Sequence, residues 1–462
     1  MLKKYNRTFI KGTMVLTLTG LFSRVIGFFY RIYLSRLFGE EGMGIYQLLS
    51  PVLALSFSLC AAGIQTAISK YVAESVASRN PKNGLRYLLT GLFFSVILSA
   101  LCMSILISFS DYIAVHFLLE ERTASMLRII ALSIPAGAVH SCINGYYYGI
   151  KKTTLPSATQ LVEQFFRIFC VYAADFLARK SGLTPTINAA VVGLVVGECA
   201  AMIVSVAAVY HHFCRPQSVY APQSTYAPQS DTVFRSGRQH FCVSYIHAAG
   251  KLLSLSVPLS VSRIVVNLLQ NVEAVAIPSK LALYGYDTAT SLSVYGVLTG
   301  MALPLLFFPN ALTSSMSVLL LPIVSEADAG GNKKVVRRAT MKTIYSSLLL
   351  GVVCTVFFYA AGPILGDFLF HSSLAGRFIR LLSLLCPFLY LCTTLSGILH
   401  GLGKAFSVFF VNVFSLSLRL LFVFYLVPVF GIDCYILSMI ISQLFSALLY
   451  LWLLRKKILD FS

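Results

Sequence analysis

The chain is a succession of long apolar runs separated by short polar breaks. Twelve runs stand out, at about 10–36, 43–70, 85–110, 124–150, 154–178, 187–213, 249–279, 290–325, 340–365, 374–400, 404–429 and 432–454. A membrane-crossing helix needs roughly 20 consecutive, mainly apolar residues, and each run reaches that length. Backbone groups in lipid must bond internally, so the runs predict helices. None shows the period-2 alternation of a membrane barrel. Pro258, Pro304, Pro309 and Pro387 fall inside runs and predict kinks, because proline removes a helical hydrogen bond.

Composition agrees with this pattern. The 462 residues are 57% hydrophobic and 11% charged, against about 25% charged in soluble domains. The net charge of +19 raises nucleic acid as a partner, but the placement of the basic residues excludes it. They sit between apolar spans, where Lys and Arg set membrane topology. One set of breaks holds 23 of the 36 Lys and Arg residues, including Lys3, Lys82, Lys151, Lys334 and Lys456. The opposite set holds eight, Arg36, Arg122, Arg128, Arg179, Lys180, Lys280, Arg377 and Arg380. The first set predicts the cytoplasmic side of a bacterial cytoplasmic membrane, with both termini there. The first span carries two Arg and no small-residue cleavage site, which predicts a retained helix. Most of the 11 Cys lie inside spans as small apolar residues, and no metal-ligating spacing appears. No metal, cofactor or catalytic residue is predicted.

Between spans six and seven, residues 214–248 contain Tyr-Ala-Pro-Gln-Ser at 220–224 and again at 226–230. This composition predicts a polar low-complexity linker. It separates an N-terminal lobe, 1–213, from a C-terminal lobe, 249–462. The lobes resemble each other. Gly145, Gly149, Lys152 and Arg167 map onto Gly397, Gly401, Lys404 and Arg419 at an offset of 252, as do Glu74, Asn80, Lys82 and Arg86 onto Glu326, Asn332, Lys334 and Arg338. Thr17, Ser23 and Arg24 map onto Ser256, Ser262 and Arg263 at an offset of 239. Six spans per half give both halves one orientation. The fold class predicted is therefore an all-α polytopic membrane protein, two six-helix bundles related as parallel repeats. In transporters of that kind the substrate site lies between the halves near the midplane, and the halves rock about it.

Five Arg residues lie within spans: Arg24, Arg31, Arg167, Arg263 and Arg419. Each costs about 2.5–3.5 kcal/mol on the mild insertion scale, so the pattern points to use. Span one places Thr13, Thr17, Gly20, Arg24, Gly27 and Arg31 on one helical face, and span seven does so with Ser256, Ser260, Arg263, Asn267 and Gln270. These two stripes are expected to face a water-filled cavity between the halves. The competing reading is small-residue packing with snorkelling arginines, which suits Arg31 near its span's end better than Arg24 or Arg263. Glu163 and Arg167 are four apart and form either a self-neutralised pair or part of a coupling site. Arg419 has no matching Glu and needs another partner. Glu273 and Glu198 are candidates for binding a proton or cation, with structural pairing as the alternative. The scattered histidines, His140 and His400 among them, suggest no catalysis.

Two motif clusters carry a resemblance. Phe22-Ser23-Arg24-Val25-Ile26-Gly27-Phe28, followed by Arg36-Leu37-Phe38-Gly39, resembles the first helix of the lipid II flippase family. Gly42-Met43-Gly44-Ile45-Tyr46-Gln47, then Pro51, Ala67-Ile68-Ser69-Lys70 and Val72-Ala73-Glu74, resembles the stage V sporulation protein B family. Both belong to the multidrug/oligosaccharidyl-lipid/polysaccharide exporter superfamily. The resemblance implies a flippase for a lipid-linked glycan carried on undecaprenyl pyrophosphate, a peptidoglycan precursor, moved by alternating access for spore cortex or cell wall synthesis. It implies cell wall synthesis proteins as neighbours, coupling to the membrane potential, a proton or sodium, and a cationic cavity around Arg24. Two departures stand out. Arg31 occupies a position where lipid II flippases tend to be acidic, and the twelve spans here lack the extra pair that helps form a lipid-tail groove in many relatives.

The site expected on these grounds holds the pyrophosphate among Arg24, Arg31 and Arg263, with glycan bonded to Thr17, Ser260, Asn267 and Gln270. Guanidinium suits phosphate because its donors form a fixed fork. A proton- or sodium-coupled multidrug antiporter of the same fold is the alternative, and it calls for a cavity rich in carboxylates. A membrane glycan polymerase needs a sizeable outer loop, whereas the longest here, about 110–123, offers only Asp111, Glu120 and Glu121 as acids. A non-transporting scaffold is the remaining reading.

Overall fold

The structure, a computed structural model, describes residues 2–78, 81–183, 185–214, 245–329 and 333–459. The side chains of the first 18 residues lie outside that description, as does most of the expected linker. Among the described residues there is no strand. Ten helical stretches are long and apolar enough to cross a membrane. The first, Thr19–Val76, has 58 residues. At 1.5 Å per residue it would run about 87 Å, far beyond a hydrocarbon core of about 30 Å. It is two spans, broken at Gly39, where φ is 69° and ψ −172°. A side chain at that φ is strained, so glycine is needed for the turn. Thr154–Lys180, with 27 residues, is a further span. Its hydropathy is lowered by Glu163, Arg167, Asp175 and Arg179, yet it packs extensively against span six (Asn188–Cys214). Twelve spans result among the described residues, as the apolar pattern predicts.

The helices are interrupted where the prolines alone do not explain it. Wide π-turns occur at Ser58–Ala62, Ile113–Phe117, Val297–Ala302 and Gly366–Phe370. They form two pairs, spans two and eight at an offset of 239 and spans three and nine at 253. Span four breaks at Leu132 and span ten at Ser383–Leu385, again about one repeat apart. The duplication is thus written in backbone irregularities as well as in residues. Pro387 begins the helix that follows the span-ten break, and Pro304 follows the span-eight π-turn.

The packing is asymmetric across the membrane. Call the ends near Lys70, Lys151, Lys342 and Lys404 the basic side. On the other side one apolar core joins both halves, including Leu34, Met43, Leu127, Leu298, Phe378 and Tyr390. On the basic side there are two cores. One belongs to the N-terminal half (Ile68, Val72, Leu88, Tyr146), joined by Ala248 and Leu252 of span seven. The other belongs to the C-terminal half (Leu395, Leu399, Val408, Tyr450). The halves are therefore clasped on the non-basic side. The clasp is tight: a Cβ on Gly44 would overlap the Leu292 carbonyl, and one on Gly296 would overlap the backbone of Glu40 and Gly44. Arg36 reinforces it by donating to the carbonyls of Leu369 (2.9 Å) and Phe368 (2.7 Å). Beside it, Arg122 bridges Glu120 (2.6 Å) and Glu41 (2.7 Å), and these carboxylates hold its guanidinium protonated above the usual range.

Candidate functional site: the polar residues between and within the halves

Span seven (Tyr245–Tyr284) meets span two along a polar seam. Arg263 donates to the Ala62 carbonyl at 3.1 Å. Asn267 donates to Ser58 Oγ at 2.6 Å and to the Ala54 carbonyl at 3.2 Å. Asn271, which is 1% exposed, donates to the Pro51 carbonyl at 2.9 Å. The three donors recur every fourth residue, one face of a helix. Of their acceptors, the Ala62 carbonyl and Ser58 Oγ lie in the π-turn at Ser58–Ala62, while the Pro51 and Ala54 carbonyls lie in the helix just before it. Ser95 Oγ likewise donates to the Cys60 carbonyl at 2.7 Å.

This revises the expectation for the span-seven stripe. The stripe does lie between the halves, but it is not open along its length. Ser256 is buried, Ser260 is half-buried and Asn267 is engaged with span two. Arg263 and Gln270 are exposed, and among the described residues the hydrogen bond of Arg263 is to a neutral carbonyl. On span one, Arg24 is exposed and has no hydrogen bond or ion pair with any described residue. Arg31, two turns farther along the same face, is exposed and within electrostatic reach of Arg167 and Tyr46. That face of span one therefore points into the N-terminal half, toward spans two and five. Thr17 lies outside the residues whose side chains are described.

The remaining two membrane arginines are neutralised. Arg167 is ion-paired with Glu163, both side chains 17% exposed. Arg419 pairs at 2.9 Å with Glu273 of span seven, which also accepts from Tyr435 Oη at 3.1 Å. The partner that Arg419 needs is thus Glu273, 146 residues away. Near Arg167, His140 Nδ1 lies 3.2 Å from Glu198 Oε2, and one ligand atom each of His140, Glu163 and Glu198 lies within 4.8 Å of the others. No pattern of spacing in the sequence links these three residues. A separate polar cavity of about 240 Å³ lies among spans ten, eleven and twelve, lined by Thr393, His400, Asn412, Gln443 and Ser446 among others. Asn412 there accepts from Tyr450 Oη at 3.1 Å.

The tally of charge follows from these contacts. Of the five guanidinium groups that the sequence pattern places deep within spans, Arg167 and Arg419 have carboxylate partners, while Arg24, Arg31 and Arg263 have none among the described residues.

Comparison with known proteins agrees with the fold. The chain is 28% identical to stage V sporulation protein B of Bacillus subtilis over 399 residues, covering 86% of this chain and 74% of that protein. It is 21% identical to the lipid II flippase MurJ of Bacillus subtilis over 417 residues, covering 86% of this chain and 73% of that protein. Among solved structures, an inward-facing multidrug resistance MATE family transporter of the MOP superfamily aligns with a TM-score of 0.66 at 16% identity, covering 94% of each chain. A MOP superfamily transporter from Pyrococcus furiosus, described as having a binding pocket of reverse polarity, aligns with a TM-score of 0.64 at 14% identity, covering 98% of this chain and 96% of that one. These likenesses place the chain among multi-pass membrane proteins of the MOP fold. The MatE family matches residues 258–425, and the family described as Polysaccharide biosynthesis protein matches residues 9–328, more than half of the sequence. The chain belongs to the polysaccharide biosynthesis protein family.

Proposed function

We propose that the chain is a flippase that carries a lipid-linked, phosphate-bearing glycan across the bacterial cytoplasmic membrane. The cargo that fits best is a peptidoglycan precursor on undecaprenyl pyrophosphate, used for spore cortex or cell wall synthesis. The observation that carries this reading is the set of three membrane arginines, Arg24, Arg31 and Arg263, with no carboxylate partner among the described residues. A multidrug cation carrier wants the opposite sign. Arg24 and Arg31 lie on one face of span one, and Arg263 belongs to the seam between the halves. Phosphate oxygens offset the cost of holding such groups in the membrane, about 2.5–3.5 kcal/mol for each arginine.

In this reading the two lobes, 1–213 and 249–462, alternate about the seam, and the basic side with both termini is cytoplasmic. In this reading the two cores on that side, the first of them shared with Ala248 and Leu252 of span seven, fit a state open toward the cytoplasm. The polyprenyl tail stays in lipid while the pyrophosphate and sugars cross among the arginines and the polar groups of spans one and seven. An inside-negative potential favours outward movement of negative charge by about 2.3 kcal/mol per charge per 100 mV. The test is reconstitution into liposomes with labelled lipid-linked disaccharide-peptide and, separately, with a cationic dye. The parent moves the lipid. Arg24→Ala and Arg263→Ala abolish that movement while retaining the parent's thermal stability. Dye transport that survives both changes, with no lipid movement by the parent, overturns the proposal in favour of an antiporter.

A further inference from the structure

Inside the N-terminal half, two buried donors, Tyr30 Oη and Arg167 Nε, have no acceptor among the described residues, and the exposed Arg31 lies within electrostatic reach of Arg167. Tyr30 is 7% exposed, and its Oη is buried with no hydrogen-bond partner. Arg167 spends a terminal nitrogen on Glu163, but its Nε is buried and unpartnered. Arg31 has no carboxylate among the described residues. The three groups are within electrostatic reach of a common centre: Tyr30 of Arg167 and Tyr46, and Arg31 of Arg167 and Tyr46. A buried donor left without an acceptor is costly, and native interiors hold few of them. One ligand with several acceptor oxygens and negative charge satisfies all three.

The neighbours on the far side of Arg167 have the opposite need. Glu163 occupies the guanidinium, and Glu198 and His140 face Glu163 within 4.8 Å. Nδ1 of His140 and Oε2 of Glu198 are themselves buried without a hydrogen bond, though 3.2 Å apart. Two carboxylates this close cannot both stay charged once their cation is taken away. Arg167 is therefore shared between an internal carboxylate and whatever anion Tyr30 and Arg31 await.

We infer that Tyr30, Arg31 and Arg167 form a phosphoryl-binding subsite inside the N-terminal half, and that phosphate displaces Glu163 from Arg167, whereupon the Glu163–Glu198–His140 cluster takes up one proton. This rests on the anion-carrier reading above and adds to it a subsite and a linkage. The proton comes from water and lands on a carboxylate oxygen of the pair, which then donates to its neighbour; no covalent bond to phosphorus changes. The titratable or charged groups around the cluster are Tyr30, Arg31 and Tyr33 from span one, Tyr46 from span two, His140 from span four, Glu163, Arg167 and Cys170 from span five, and Glu198 and Cys199 from span six. Linkage is reciprocal: lower pH tightens phosphate binding, and phosphate binding draws in a proton.

The experiment is titration calorimetry of the purified full chain in detergent with geranyl pyrophosphate, with geraniol as the uncharged control. Repeating it in buffers of different ionisation enthalpy counts protons. The parent takes up about one proton more per geranyl pyrophosphate than Glu163→Gln does. That difference removes the probe's own protonation. Glu163→Gln binds severalfold tighter, because its competitor for Arg167 is neutral. Arg167→Gln weakens binding about tenfold or more, the loss expected for hydrogen bonds to a charged group, and Tyr30→Phe weakens it less. If Arg167→Gln fails to fold, Glu163→Gln/Arg167→Gln carries the same test with the pair neutralised. Equal proton counts in parent and Glu163→Gln overturn the linkage. Unchanged affinity in both Arg167→Gln and Tyr30→Phe overturns the subsite, and if Arg24→Ala still weakens binding, the anion-carrier reading survives it. No binding of geranyl pyrophosphate by the parent overturns both.

Discussion

Glu273→Gln offers the sharpest test of the packing in the C-terminal half. Glu273 is 6% exposed and accepts from Arg419 at 2.9 Å and from Tyr435 Oη at 3.1 Å. Arg419 is itself 14% exposed, and its Nε already lacks a partner. Removing the carboxylate charge leaves a guanidinium in the interior with nothing to offset it. Breaking one partner of a buried pair costs about 3–5 kcal/mol. Replacing both partners costs far less, because no lone charge remains. The double variant Glu273→Gln/Arg419→Gln is therefore expected to recover about 2–4 kcal/mol relative to the sum of the singles. Tyr435→Phe removes one hydrogen bond to a charged group, worth about 1.5–3 kcal/mol, and its effect largely disappears in the Glu273→Gln background. Unfolding followed by circular dichroism in mixed micelles of increasing sodium dodecyl sulfate measures the parent and all five variants. Strict additivity of the singles, within about 0.5 kcal/mol, would refute the pairing and the span seven–eleven contact built on it.

Three further outcomes test other parts of the structure. Gly44→Leu and Gly296→Leu cannot keep the non-basic side closed, so lipid translocation in liposomes is lost while the protein still purifies as a folded species; transport equal to the parent would disprove the clasp, and Gly250→Ala, with no atom within 4 Å, is the neutral control. Asn271→Leu leaves the Pro51 carbonyl without its donor and lowers stability by about 1–3 kcal/mol; a denaturation midpoint equal to the parent's counts against the seam. Asp287, at the loop before span eight, is held below the ordinary carboxylate range first by the Thr290 hydroxyl. Its contribution is therefore present above the unfolded carboxylate value and lost as pH falls through the lowered folded one, and Thr290→Val shifts the Asp287 carboxyl resonance titration upward; an unmoved titration contradicts the contact.

Much of the fold was legible because a membrane imposes one demand repeatedly. Apolar length marks the spans, and even span five, diluted by Glu163, Arg167, Asp175 and Arg179, could be read from its position between basic breaks. Duplication was legible in residue pairs such as Arg167 and Arg419. The repeat-related π-turns were not, since Ser58–Ala62 and Gly366–Phe370 contain no proline or other local marker. The polar stripe of span seven was visible as a face, but its destination was hidden. Its acceptors are backbone carbonyls, and every residue has one. The Arg419 partner was hidden for another reason: Glu273 lies on a helix brought beside it only by the tertiary fold. Asn271, adjacent to the noted stripe and one turn past Asn267, was the residue missed, and continuing the four-residue rhythm would have found it.

The seam between spans two and seven has an unequal authorship. Span seven contributes named side chains, Arg263, Asn267 and Asn271, whereas span two contributes mainly its main chain at Ala62, Ala54 and Pro51. Mutation drifts side chains and leaves peptide oxygens untouched. The N-terminal half is thus free to change its residues along that helix so long as the wide turn persists, while the opposing helix must keep its amides. Hybrid proteins built from diverged relatives should tolerate a foreign first half far better than a foreign span seven.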